Sequence, residues 1–279
     1  MHARIMMIGS LVVAGACADL DASGEREQLV SAHGQSGLDW ANGWIADAVA
    51  HPAQVAENVY TTTAPAPVLV RMATGVMATN RTVCGTFVTR LFQNSVGYTS
   101  SDFYNSFNRA ALDNPMPDCQ VGTVSGDQKG TTSPDAAQYR WKIASCASVG
   151  PIKFTPRATI GAIEAGDVLA MTYTDPAQHH GATGHVMIVR SVPVSSGSLP
   201  AGPPGSTGYT VEVIDSTSTP HGATDWRAKN AGQGLGYGTF VLYANAAGAI
   251  VASRWSPSDS SDPDGDDTTI HPLAIGGLQ

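Results

Sequence analysis

From Ile160 to the C-terminus the sequence is a succession of short apolar runs cut by Gly, Ser and Pro. That pattern restricts the fold more than any other feature of this 279-residue chain. AGDVLAMTYT places Val168 and Leu169 after a Gly-Asp turn, and GHVMIVRSVPV is apolar and β-branched. YTVEVIDST alternates, with Val211 and Val213 on one face and Glu212 and Ile214 on the other, as a strand with two distinct faces must. GYGTFVLYAN and GAIVASRWS read as a hairpin, and IHPLAIGG as a closing strand.

The first third has a different period. LDWANGWIADAVAHPAQVAENV (38–59) carries apolar residues at helical spacing, with Pro52 as a break. VLVRMATGVMA is ambiguous between strand and helix. In CGTFVTRLFQNS, Phe87, Val88, Leu91 and Phe92 share one helical face behind Cys84. Residues 97–150 are rich in turn formers and read as an insertion, with one short helix at SDFYNSFNRAAL and GDQKGTTSPDAAQ as loop. Helices followed by strands predict an α+β domain over residues 38–279 with a mostly antiparallel sheet. Residues 18–37 read as a flexible lead-in, and there are no internal repeats.

MHARIMMIGSLVVAGAC has Arg4 ahead of an apolar run too short to anchor stably in a bilayer, so residues 1–17 read as an export signal. Two processing routes fit: cleavage after Ala14-Gly15-Ala16, or lipidation of Cys17 as in a bacterial lipobox. The expected location is periplasmic or extracellular, either free or held by that lipid. A net charge of −8 argues against nucleic acid as a partner.

Export alters the cysteine arithmetic. Of Cys17, Cys84, Cys119 and Cys146, the first is removed or lipidated, which leaves three where disulfides form. Cys119 and Cys146 lie in turn-rich sequence suited to a loop-stapling bond, so Cys84 is the expected free thiol. At a helix N-terminus, the dipole and unclaimed N–H groups favour thiolate, and the same N–H groups can cradle an oxyanion. Gly85 would let a substrate carbonyl approach the backbone. A thiol nucleophile needs a base, and His185 opens an apolar strand. Asp215 ends the alternating strand on its apolar face, where it can orient His185 through the second ring nitrogen. His221 stands in reserve as base or substrate contact, and Asp225 and Arg227 pair on the surface or line a cleft. His179 and His180 are adjacent in a loop and poorly placed to share a metal. The acidic run at 262–267 lacks the spacing of an EF-hand. Asn80-Arg81-Thr82 matches a glycosylation sequon. No metal or organic cofactor is expected.

Cys-Gly-x-Phe-Val at 84–88, Gly-Asp-Val at 166–168 and Gly-His-Val-x-Ile-Val at 184–189 together resemble the papain-like superfamily in its bacterial cell-wall branch, the NlpC-type and CHAP peptidases and amidases. The match covers residues 80–92 and 160–220. Val83 and Asp215 depart from the usual residues at their positions, and Tyr60 is a distant candidate for the upstream tyrosine that assists the oxyanion site. The resemblance implies a papain-like α+β fold in which N-terminal helices, the nucleophile helix among them, pack on the sheet. It also implies Cys84 as nucleophile, His185 as base, Asp215 as third residue, and a peptide or peptidoglycan-like amide as substrate. Two other readings stay open: a non-catalytic envelope lipoprotein or binding module, and an acyltransferase or esterase using the same three residues.

Overall fold

The computed structural model describes residues 31–61, 66–107, 130–173, 182–230, 232–258 and 272–279. The chain opens with α1 (Ala32–Ala50), capped by the Ser31 side chain, which accepts from the Gly34 N–H. Leu38, Ala41, Trp44, Ile45 and Ala48 form its buried stripe, three and four residues apart as a helix on a core requires. The helix therefore begins within the stretch expected to be a lead-in. It ends before Pro52, and after a single tight turn at Pro52–Gln54 the chain is extended rather than helical: Val55–Tyr60 is a strand, β1. β2 (Val68–Val70) and β3 (Ala78–Thr82) complete a small sheet in the order β1-β3-β2, with β1 parallel and β2 antiparallel to β3.

Next come α2 (Cys84–Ser95), the short α3 (Ser100–Tyr104) and α4 (Ala136–Ser145). Phe87, Val88, Leu91 and Phe92 of α2 are fully buried. α4 lies in sequence expected to be loop at its start. Asp135 accepts from the Gln138 N–H at 2.9 Å while the Gln138 side chain accepts from the Asp135 N–H at 2.8 Å. This reciprocal pair is the acid-x-x-Gln form of a capping box.

The remainder is dominated by one large sheet. Its strands are β4 (Phe154–Pro156), β5 (Val168–Thr172), β6 (Gly184–Val189), β7 (Val194–Ser195), β8 (Thr207–Thr217), β9 (Gly234–Ala244), β10 (Ile250–Arg254) and β11 (Leu273–Leu278), with the short helix α5 (Trp226–Asn230) between β8 and β9. These eight strands run β10-β9-β8-β6-β5-β11-β4, with β7 against β8, and every pairing is antiparallel. One face, carrying Val186, Ile188 and Ile214, packs with the buried faces of α1, α2 and α4. The other carries Met187, Val189, Val211, Val213, Phe240 and Leu242 and makes a second core.

The expected fold class is corrected by this architecture. An α+β, papain-like domain with leading helices packed on the sheet does not describe the chain, which is mostly sheet with few helices. The cause lies in residues 55–82, read as the end of a helix, a linker and a stretch ambiguous between strand and helix. Their β-branched and polar residues find ladder partners instead, and a three-stranded sheet stands where a helical layer was expected.

A polar bridge ties the small sheet to the large one. Asn58 of β1 accepts from the Leu235 N–H at 2.7 Å and donates to the Leu235 carbonyl at 2.9 Å. Asn80 of β3 donates to Asn58 Oδ1 at 2.9 Å, and Ser216 Oγ donates to the Thr82 carbonyl at 2.8 Å. Asn80, which heads the sequon, is thus buried between two sheets and offers no site for a glycan. This bridge fixes the end of β3, and with it the start of α2, against β8. Asp135→Ala should remove the α4 cap and cost about 1 kcal/mol in urea unfolding, whereas Asp135→Asn should restore most of that stability.

Candidate functional site

Cys84 is the first residue of α2, and Val83 before it has no capping side-chain hydrogen bond. The first-turn N–H groups are therefore not claimed by an N-cap side chain, and they meet the positive end of the helix dipole. Register in the small sheet pairs Tyr60 with Thr82, which places Tyr60 beside the start of α2. Burial pushes the Tyr60 phenol up, and negative charge at Cys84 and Asp215 pushes it further. The Cys84 sulfur lies 4.0 Å from the Gly184 carbonyl oxygen. Among the described residues Cys84 is the free cysteine, 7% exposed.

His185 follows Gly184 on β6, and this glycine has a structural reason. Its φ is +146°, and a Cβ there would lie 2.0 Å from the Met171 carbonyl oxygen on the neighbouring strand. On one side of the His185 ring, negative charge at Cys84 favours the charged imidazole. On the other, Nε2 meets Asp215 Oδ2 at 2.5 Å. Nε2 is thus the ring nitrogen that Asp215 holds. Burial alone would push the His185 imidazole down; the Cys84 charge and the Asp215 hydrogen bond overcome it, and its pKa is pushed up to about 10.

Asp215 is fully buried at the inner end of β8. Burial would raise its carboxyl, but Arg227, His221 and His185 together hold it well below the usual carboxylate range. Arg227 donates to Asp215 Oδ1 at 2.6 Å and to the Asp215 and Gly234 carbonyls. The same guanidinium forks onto Asp225, at 3.0 Å to Oδ1 and 2.7 Å to Oδ2. The Asp225–Arg227 pair therefore forms, but as a buried strut behind the site rather than a surface pair or a cleft wall.

His221 lies next to this strut. Its Nδ1 donates to the Trp255 carbonyl at 2.8 Å, and Nε2 approaches Asp215 Oδ2 at 3.1 Å. Its ring stacks on Trp255 with centroids 3.9 Å apart at 21°, while Trp255 stands edge-on to His185 at 4.9 Å. His221 is thus a support for Asp215, fully buried and out of reach of a substrate. Gly85 is corrected as well. A Cβ there would lie 2.6 Å from the Pro134 carbonyl oxygen, so the room it leaves is filled by the chain entering α4.

The structure brings His185 and Asp215 into hydrogen-bond contact, and the Cys84 sulfur lies against the residue before His185, at the Gly184 carbonyl. The Gly166–Val168 motif does other work: Asp167 accepts from the Glu164 N–H and pairs with Arg157. Cys146 is disulfide-bonded, whereas its expected partner Cys119, together with Cys17, His179, His180 and the acidic run at 262–267, lies outside the described residues. Sequence reasoning missed Trp255 and the structural use of Arg227. An Asp-x-Arg at 225–227 beside a strand-end aspartate was the available signal. It indicates a second acid sharing one guanidinium.

His185, Asp215 and His221 also present ligand atoms within 4.8 Å of one another, two imidazoles and a carboxylate of the kind that binds transition ions. The donors are otherwise engaged. Arg227 already neutralises the carboxylate, and a metal would have to displace both ring contacts beside a fixed guanidinium. Arg227→Met, which keeps length and removes charge, should leave two buried carboxylates uncompensated and cost about 3–5 kcal/mol in chemical denaturation. Gly85→Ala should cost about 1–3 kcal/mol through the clash with Pro134.

No protein-family model matches the chain, and no solved structure matches it. The uncharacterized protein R653 of Acanthamoeba polyphaga mimivirus is 35% identical over 132 residues, which cover 45% of this chain and 57% of the viral protein. The chain thus spans little more than half the length of the relative it matches.

Proposed function

We propose that the protein is a thiol hydrolase acting on an amide bond. The observation that supports this reading is the His185 ring hydrogen-bonded to the buried Asp215 carboxylate, with negative charge at Cys84 raising its pKa from the helix side. Asp215 fixes the ring and stabilises its charged form; His185 takes the thiol proton and returns it to the leaving amine. Cys84 attacks the carbonyl carbon, the first-turn N–H groups of α2 receive the developing oxyanion, and water releases the acyl group. A peptide amide, of the cell-wall kind handled by the enzymes whose motifs this sequence resembles, is the proposed substrate class, and an exported location is proposed with it.

Cys84→Ser should abolish turnover of peptidoglycan fragments assayed by release of new amine, and Asp215→Asn should reduce kcat by several orders of magnitude. Iodoacetamide should modify Cys84 in the wild type; an inert Cys84 in the folded protein would overturn the reading. The pH dependence comes from His185 and Asp215. The raised His185 pKa contributes stability that is complete below about 6.5 and lost as pH rises through about 10. The depressed Asp215 carboxyl contributes stability that is present above about 3.9 and lost only in strong acid. His185 Cε1–H should therefore titrate near 10 by NMR, and Cys84→Ala, by removing the thiolate charge, should lower that midpoint.

A further inference from the structure

A second feature of the large sheet stands apart from Cys84. The two ends of the strand order, β10 and the β11–β4 edge, come round to line one cavity of about 340 Å³. Its walls include Ile250 and Val251 of β10, Leu273 and Ile275 of β11, and the side chains of Arg140 and Arg157.

Among the described residues, two groups in this cavity have no partner of the kind their chemistry requires. The first is the edge of β11. β4 pairs with Gly276 to Leu278 and reaches Ile275 through the Arg157 N–H, which donates to the Ile275 carbonyl at 2.8 Å. Beyond that point β4 ends. Backbone groups of alternate residues face the same neighbour in a strand, so Leu273 turns its N–H and carbonyl to the side that Ile275 shows to β4. The Pro272 carbonyl, one residue back, accepts from Thr172 on the β5 side, as alternation requires. Leu273 is left at an open edge where one more strand would pair.

The second is Arg140 of α4. Its Nε is buried with no hydrogen-bond partner, and its guanidinium makes no ion pair among the described residues. Burial pushes the group down. Arg157, by contrast, is held by Asp167 and Glu164. A guanidinium with part of its fork out of water and unanswered is costly, and the chemistry that answers it is a carboxylate.

We propose that this cavity binds an extended peptide bearing a free carboxylate, its backbone added to β11 at Leu273 and its carboxylate on Arg140. Backbone pairing supplies affinity in strand addition and the charged end supplies register. Leu273 pairs with Met171, and Met171 with His185, so the open edge lies two strands from His185, about 10 Å across the ladder. The proposal does not depend on Cys84 being catalytic.

Full-length protein carrying Cys84→Ser, so that nothing is turned over, is titrated with an acetylated alanine-valine tetrapeptide ending in a free acid and with the same peptide ending in an amide. The expected result is that the acid binds at least about tenfold tighter, shifting the Leu273 amide and the Arg140 Nε–H in NMR spectra. Arg140→Gln should bring the acid down to the amide's affinity without lowering Tm, because it removes an uncompensated charge. Equal affinity for acid and amide, shifts confined to other residues, or an Arg140→Gln variant that binds as before would overturn the proposal. Acetate alone matching the acid peptide would overturn the strand addition. Loss of amide hydrolysis on Cys84→Ser, or its absence in the wild type, bears only on the catalytic reading.

Discussion

A single carboxylate, Asp215, sets the terms for the interior of this protein. It is fully buried, and it accepts from His185 and Arg227 while His221 lies 3.1 Å away. An ion removed from water survives only where its oxygens are occupied and its charge is answered. Each element around it is arranged to that end. β8 delivers Asp215, α5 delivers Arg227, β6 delivers His185, and Trp255 behind His221 holds the imidazole in place by stacking and by its carbonyl. Asp225 then shares the guanidinium, so that its charge too is answered inside the core. Even the glycine opposite obeys this packing: a Cβ on Gly238 would lie 2.3 Å from Asp225 Oδ2.

Cys84 depends on the same group at one remove. The positive ring of His185 is held charged by the Cys84 sulfur and Asp215 together, and the position of that sulfur is fixed by the asparagine bridge between the two sheets. The helix terminus follows the small sheet, while ring and carboxylate stand on the neighbouring strands β6 and β8 of the large one. The Ser216 hydroxyl, next to Asp215, bonds the Thr82 carbonyl just before α2 and so joins the two sheets directly.

What could be read from the sequence was what local chemistry announces. Alternation in YTVEVIDST placed Asp215 on the face with Val211 and Val213, and the helical spacing behind Cys84 matched the buried face of α2. Leftover-thiol counting singled out Cys84. Fold class was not legible, because residues 55–82 carry no alternation strong enough to announce strands; the pairing of β1 is decided by partners more than twenty residues away in the chain, as Val55 with Ala78 shows. The Asp135–Gln138 box was legible, but it sits in a composition that looks like loop and hides the helix it opens. Arg227 and Trp255 escaped for a different reason. A charged residue and a tryptophan near turns read as surface features, and only the buried acid on another strand explains them.

The groups that surround the thiol are spread over Tyr60, Cys84, His185, Asp215, His221, Arg227 and Trp255. Contacts this distant along the chain form late, since loop closure must precede them. No fragment that stops short of Trp255 holds the whole constellation. While the chain is still unfolded, its cysteine lacks both ring and helix terminus and is an ordinary thiol. The surroundings of the thiol exist only once both sheets have closed on each other, so any chemistry they confer is absent from the chain until it is folded.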